Sequence, residues 1–168
     1  MEYRKTFTIW LNALDKYSEE QFRRKPSPES WSMGQVYTHL LLGNDHFFLK
    51  QVEKCLNKEG TALGGRKTLA GSFISLINGF PPVRAKMPKA VEVVPRQPEN
   101  IDFIRKKWLN SMALAENMKK RIPGCDLAHK TRHPAFGFLN AEEWFRANEM
   151  HLSHHFRQKK RLDKFLGM

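Results

Sequence analysis

The sequence predicts an all-α fold, an antiparallel four-helix bundle with a long crossover between the second and third helices. First, apolar residues recur at spacings of three and four along four long segments, which is the period of an amphipathic helix. Second, turn and capping residues separate these segments. Third, no two segments have the pattern of a convincing strand pair, and a bundle buries four apolar helix faces against one another.

The first two helices are predicted at residues 2–23 and 32–56. The turn-forming segment 26–30 separates them, and a serine is available as the N-cap of the second helix. The apolar stripes are Tyr3, Phe7, Trp10, Leu14 and Tyr17 in the first helix, and Val36, Leu40, Gly43 and Phe47 in the second.

The last two helices are predicted at residues 99–122 and 140–166. Pro123 and Gly124 end the third helix. Asn140 and Glu143 have the spacing of a capping box at the start of the fourth. The stripe of the third helix is Ile101, Ile104, Trp108, Met112, Ala115 and Ile122.

The crossover, 58–98, is rich in glycine and proline and is predicted to contain a short helix at 69–77. A loop of this length is unusual in a compact domain unless it covers a site or reaches a partner. We expect one domain, 1–168, because a chain of this size can bury a single core.

Composition predicts a cytoplasmic protein with no membrane span. Cys55 and Cys125 lie far apart and outside any C-x-x-C pair, so we interpret both as free thiols. The N-terminus lacks the apolar core of a signal peptide, and no segment is a continuous apolar span. The formal net charge of +12 makes an anionic partner worth considering, although charged runs are usually solvated helix ends.

The main chemical feature is a polar group on the apolar stripe of the fourth helix. His151 and His155 are four residues apart, so their imidazoles lie side by side on one helix face. Imidazole nitrogens bind zinc, nickel, copper or iron. The same pair is also compatible with ordinary hydrogen bonds in the core, or with a helix turned so that both face water.

The second helix supplies a third imidazole. His39 lies on its core side, in an apolar run where an unpaired polar group is costly. His46 is about 10 Å further along the helix, too far for both to bind one ion, so we interpret it as a supporting or core histidine. His129 and His133 lie in the loop before the fourth helix, where His133 either approaches the cavity mouth or stabilises a turn.

Two segments resemble a known family. SWSMGQVYTHL (30–40) is similar to the start of the second helix in the DinB/YfiT-like superfamily, and HPAFGFLNAEEW (133–144), leading to HLSHHFRQ (151–158), is similar to its last helix. The resemblance covers nearly the whole chain. It implies a four-helix bundle whose metal site takes one histidine from the second helix and an H-x-x-x-H pair from the last, which here are His39, His151 and His155.

The resemblance also implies a chemistry. Characterised relatives include bacillithiol S-transferases and the mycothiol-dependent maleylpyruvate isomerase, in which the metal activates a low-molecular-weight thiol. We therefore predict a divalent metal, zinc or nickel, and a metal-dependent thiol S-transferase or hydrolase acting on a small-molecule substrate. No carboxylate stands out as a general base. The candidates for supporting the ligands are Gln158, His154, His46 and Gln35.

Two other functions are compatible with the sequence. The basic surface predicts a non-catalytic bundle that binds nucleic acid or another anion, although no helix-turn-helix signature supports it. A structural or sensory bundle with a vestigial metal site is the third hypothesis. A homodimer is also expected, with Phe73, Phe80 or Phe136 as candidate contacts.

Overall fold

Helices make up most of the chain in a computed structural model, which describes residues 3–77, 79 and 94–168. The prediction of an all-α fold is confirmed. In chain order the helices are α1 Tyr3–Ala13, α2 Glu19–Arg23, α3 Met33–Leu42, α4 Leu49–Asn57, α5 Leu69–Ile77, α6 Ile101–Arg121, α7 Ala141–His154 and α8 Phe156–Phe165.

The first predicted helix is interrupted, so the prediction of one continuous helix over 2–23 is wrong at residues 14–18, while 3–13 and 19–23 are helical. A 3-10 turn follows α1, and Tyr17 is extended. Ser18 then begins α2 through a capping box with Gln21. This helix start lies inside the segment that was predicted to be one helix. The Tyr17 hydroxyl stabilises the interruption by donating a hydrogen bond to Asp163 at 2.6 Å.

The second predicted helix is continuous but contains a π-helical segment, Gly43–Phe48, between α3 and α4. It begins where predicted, with Ser32 and Gln35 forming a capping box. Each π turn bonds i to i+5 instead of i to i+4, so the residues that follow rotate around the axis. As a result Phe48 is buried while Phe47 is half-buried.

The fourth predicted helix begins as expected, with the Asn140–Glu143 capping box, and is divided at His155 into α7 and α8. The third, α6, ends at Arg121, just before Pro123 and Gly124. Helices α1, α3, α4, α6 and α7 pack on one another around a single cluster of buried residues. Within the described residues, no helix is both long enough and apolar enough to cross a membrane.

Three short strands form an antiparallel sheet, contrary to the expectation that the chain has no strand pair. They are β1 Ala62–Leu63, β2 His129–His133 and β3 Gly137–Leu139, in the order β1-β2-β3. Strand β2 has no apolar alternation, and β1 pairs with it from far away in sequence, so neither the period-2 pattern nor a local hairpin signal identifies this pair.

The crossover contains the predicted short helix, α5. Residues 78 and 80–93 of the crossover, and with them the dimer candidate Phe80, lie outside the described residues. Helix α5 rests on the turn between β2 and β3 through Gly71, where an added Cβ would lie 2.2 Å from the Phe136 carbonyl oxygen. Only glycine permits this approach.

Candidate metal centre

His39, His151 and His155 lie together where α3 packs beside the junction of α7 and α8. The Nε2 atoms of His39 and His151 are 3.1 Å apart. One ring nitrogen from each of the three residues can be chosen so that all lie within 4.8 Å of one another. All three side chains are half-buried.

Local structure explains this convergence. His151 lies in the last turn of α7, and His155, one turn further, is its C-cap. The two residues therefore share a face, and their ring centroids are 4.8 Å apart. His39 is in the last turn of α3 and faces them across the helix interface, with ring centroids 5.1 Å from His151 and 4.9 Å from His155.

Aromatic rings and one glycine shape the walls of the cluster. The Trp31 ring lies 5.1 Å from His39, and the Phe48 ring lies 5.2 Å from His151. Gly43, the first residue of the π-helical segment, lies against the His151 ring, since a Cβ there would be 3.2 Å from Cε1. Apolar rings therefore flank the cluster, and the backbone at Gly43 lies close to the His151 ring.

Gln158 fixes the proton on one imidazole. Its Oε1 accepts a hydrogen bond from Nδ1 of His155 at 2.8 Å. With the proton on Nδ1, the lone pair of His155 is on Nε2. Gln158 therefore lies where the sequence predicted, one turn beyond a candidate ligand and bonded to it.

Burial keeps the three imidazoles neutral. It lowers the pKa of His39. Burial, reinforced by the neighbouring histidines, holds the pKa of His151 well below its usual range. Burial and then His39 lower that of His155 to about 3. Neutral imidazoles carry the lone pairs that a metal ion needs.

The other three candidate supporting residues differ in their position relative to the imidazoles. His154 is half-buried and contacts His155 edge-on, with ring centroids 5.5 Å apart. His46 is exposed, so its interpretation as a core histidine is wrong, and the described structure gives it no contact with the three imidazoles. Gln35 caps α3 and donates to the Pro95 carbonyl at 2.7 Å, which occupies it elsewhere.

His129 and His133 are structural, and the prediction that they lie in a loop is wrong, because they are the first and last residues of β2. Nδ1 of His133 accepts from the backbone N–H groups of Ala135 and Phe136, and its ring stacks on Phe136 at 4.1 Å, so the turn-stabilising interpretation is confirmed. Burial lowers the pKa of His133 to about 4. His129 bonds Thr61 and lies 3.5 Å from Asp126.

Sequence reasoning missed a buried polar cluster beside the three imidazoles. Asn44, Ser111 and Asn148 are almost completely buried and are joined to Asp45 by hydrogen bonds. A signal was present in α7, where Trp144, Asn148, His151 and His155 follow one another at intervals of four, three and four. No comparable signal marked Asn44, because the π-helical segment places it in the core.

Comparison with known protein families agrees with this geometry. Residues 2–158 match the model of the family described as the DinB superfamily. None of the curated proteins gives a significant match to the chain.

Proposed function

Because the chain belongs to the DinB superfamily and gathers His39, His151 and His155 at one point, we propose that it is a metal-dependent enzyme. The convergence of three neutral imidazoles from α3 and α7 carries this proposal. Buried polar groups need partners, and one divalent ion would serve all three rings.

The donor set fits a transition-metal ion. Two nitrogens bound to one ion at about 2.0–2.1 Å in tetrahedral geometry are roughly 3.3 Å apart, close to the 3.1 Å between the His39 and His151 Nε2 atoms. The group contains only imidazole nitrogens, with no carboxylate or thiol from the described residues. This favours zinc or nickel over magnesium or calcium, which prefer oxygen ligands.

Three protein ligands leave room for an external one, which is typical of catalytic sites. A divalent ion held there lowers the pKa of a coordinated water or thiol and so supplies a nucleophile near neutral pH. The residues around the site limit access: Trp31 and Phe48 exclude water from the sides of the rings, and Gln158 keeps the proton of His155 at Nδ1.

An anionic thiol suits the charges at this site. Arg157 and Arg161 are exposed and one turn apart on α8, and after burial both contribute to the lowered pKa of His154, while Arg161 makes a small contribution to that of His155. They would attract a carboxylate-bearing thiol such as bacillithiol. We propose S-transfer from such a thiol to an electrophile as the reaction, with hydrolysis as the alternative use of the site.

Metal binding is tested first. We expect about one zinc or nickel ion per chain by elemental analysis of untagged protein. His39→Ala or His151→Ala should weaken zinc binding more than about 100-fold, beyond the effect of losing an outer partner. His46→Ala is the matched control, because it removes an exposed histidine from the same long helix. Metal-free protein whose melting temperature does not change with zinc or nickel would contradict the proposal.

The reaction is tested with the zinc-loaded and nickel-loaded chain, bacillithiol and monochlorobimane. The thiolate sulfur bonds to the electrophilic carbon, chloride leaves, and the thiol proton passes to solvent. We expect a fluorescence rate that depends on metal, is lost in His151→Ala and is retained in His46→Ala. An equal rate in the wild-type chain, His151→Ala and His46→Ala would rule out this site as the catalyst.

A further inference from the structure

Two complementary polar atoms on neighbouring residues of α7 are buried without a hydrogen-bond partner among the described residues. Asn148 is completely buried, and its Oδ1 has no hydrogen-bond partner among the described residues. The same is true of Nδ1 of His151. One is an acceptor, and the other is a donor whenever it carries the ring proton. An unpaired buried group of this kind costs on the order of 1–3 kcal/mol.

The two residues are neighbours on α7. Asn148 and His151 are three residues apart, on one face of α7 and about 4.5 Å apart along its axis. Both lie along the start of the π-helical segment. A Cβ added to Gly43 would be 3.6 Å from Nδ1 of His151, and Asn148 donates through Nδ2 to the side-chain oxygen of Asn44.

A chain of hydrogen bonds determines which way the Asn148 amide points. The Asp45 carboxylate accepts from Nδ2 of Asn44 and from the Ser111 hydroxyl, and Asn44 Nδ2 also donates to Ser111. Asn44 therefore uses its amide nitrogen for those two bonds and presents its oxygen to Asn148. Asn148 must therefore donate to this oxygen through Nδ2, which turns its own Oδ1 away from Asn44.

We propose that Asn148 is a positioning residue that selects the tautomer of His151. Its Oδ1 accepts the Nδ1 proton of His151, directly or through one buried water, so the lone pair of His151 is on Nε2, facing His39 and His155. The role deepens the proposed function, since it presumes that His151 is a metal ligand. Metal-binding histidines commonly have such a partner on the second nitrogen.

Gln158 and Asn148 would then have the same role, because each accepts the Nδ1 proton of one of the two histidines His151 and His155. Gln158 accepts the Nδ1 proton of His155 at 2.8 Å, and Asn148 accepts that of His151. In the metal-free protein, His39 must then donate across its 3.1 Å contact with His151, because His151 Nε2 has no proton. Each ring then has one proton, on Nδ1 in His151 and His155 and on Nε2 in His39.

The first test reads the tautomer in chelator-treated protein, without metal or activity. Nitrogen-15 NMR of the labelled imidazoles should show His151 with its proton on Nδ1. A proton on Nε2 in the wild-type chain would overturn the proposal, whatever the protein does with metals. If the Nδ1 proton is found but zinc does not bind, the tautomer role stands and the proposed function fails.

A matched pair of variants separates positioning from packing. Asn148→Leu removes both polar groups, whereas Asn148→Asp keeps an acceptor towards His151, replaces the donor towards Asn44 by an oxygen and adds a negative charge when ionised. Zinc affinity should fall about 10–100-fold in Asn148→Leu and stay near the wild-type value in Asn148→Asp. Equal losses in the two variants would show that Asn148 acts only through packing and overturn the proposal. If Asn148→Leu does not fold, the wild-type tautomer decides.

Discussion

Gly43 shows how one residue can matter to the site without bonding to anything. Its φ of −61° is ordinary helical backbone, so alanine is acceptable to the chain there and should stabilise the helix by up to about 1 kcal/mol. However, the added Cβ would lie 3.2 Å from Cε1 of His151 and push the ring away. We expect Gly43→Ala to bind zinc at least about 10-fold more weakly while its stability in chelator is equal or higher.

The measurement is chelator competition for zinc affinity, with urea unfolding of the metal-free protein alongside. Thr38→Ala on the same helix is a suitable control, because its half-buried hydroxyl bonds only the Gly34 carbonyl. Unchanged affinity in Gly43→Ala would mean that His151 tolerates displacement.

Among the site residues, the sequence predicted those that depend on helix spacing. His151, His155 and Gln158 are related by intervals of four and three within one stretch, and His39 stood out in an apolar run. His46 and Gln35 were misjudged because their neighbours depend on tertiary structure: the π-helical segment carries an exposed His46, and Pro95 reaches Gln35 from the crossover.

Among the helices and strands too, features encoded by neighbouring residues were predictable, and features that depend on distant contacts were not. The starts of α3 and α7 were predictable because each is encoded by a reciprocal bond between residues three apart. The π-helical segment was not, since it is stabilised by a buried Asn44 that bonds to Ser111 on α6 and Asn148 on α7. The β1–β2 pair was missed because the two strands are joined across the crossover and α6, and the β2–β3 pair was missed because β2 has no apolar alternation.

The packing of α5 depends on Gly71. A side chain there would meet the backbone oxygen of Phe136 at 2.2 Å, and backbone cannot rotate away as a flexible side chain can. We expect Gly71→Ala to lower the free energy of unfolding by about 1–3 kcal/mol, because α5 must move off the turn. Urea unfolding measures this. Ser72→Ala, on the exposed side of the same helix, should change it by less than about 0.5 kcal/mol, and equal losses would refute the close packing.

For the molecule as a whole, charge and site point to the same class of ligand. The chain has a formal net charge of +12, and Arg161 on α8 places part of it near His155. Such a field raises the local concentration of anions and loses strength with salt. The net charge of the sequence predicts an anionic partner, and this stays a prediction, whereas the position of Arg161 near His155 depends on the fold.

The buried histidines make the stability of the whole molecule depend on pH. Burial lowers the pKa of each of them in the folded chain, while the unfolded chain titrates near about 6.5. Below that value the unfolded state binds more protons, so stability is lost as pH falls and shows no such slope above it. The group comprises His39, His133, His151, His154 and His155.

His133 allows one contribution to be isolated, because it is buried and its ring contacts Phe47, Phe136 and Trp144. Its pKa of about 4 in the fold predicts a slope of up to about 1.4 kcal/mol per pH unit between pH 4 and 6.5. His133→Asn keeps an acceptor for the turn and removes the proton site, so urea unfolding in chelator from pH 7.5 to 5 should show a slope smaller by about that amount. If His133→Asn keeps the wild-type slope, the buried neutral state of His133 is refuted.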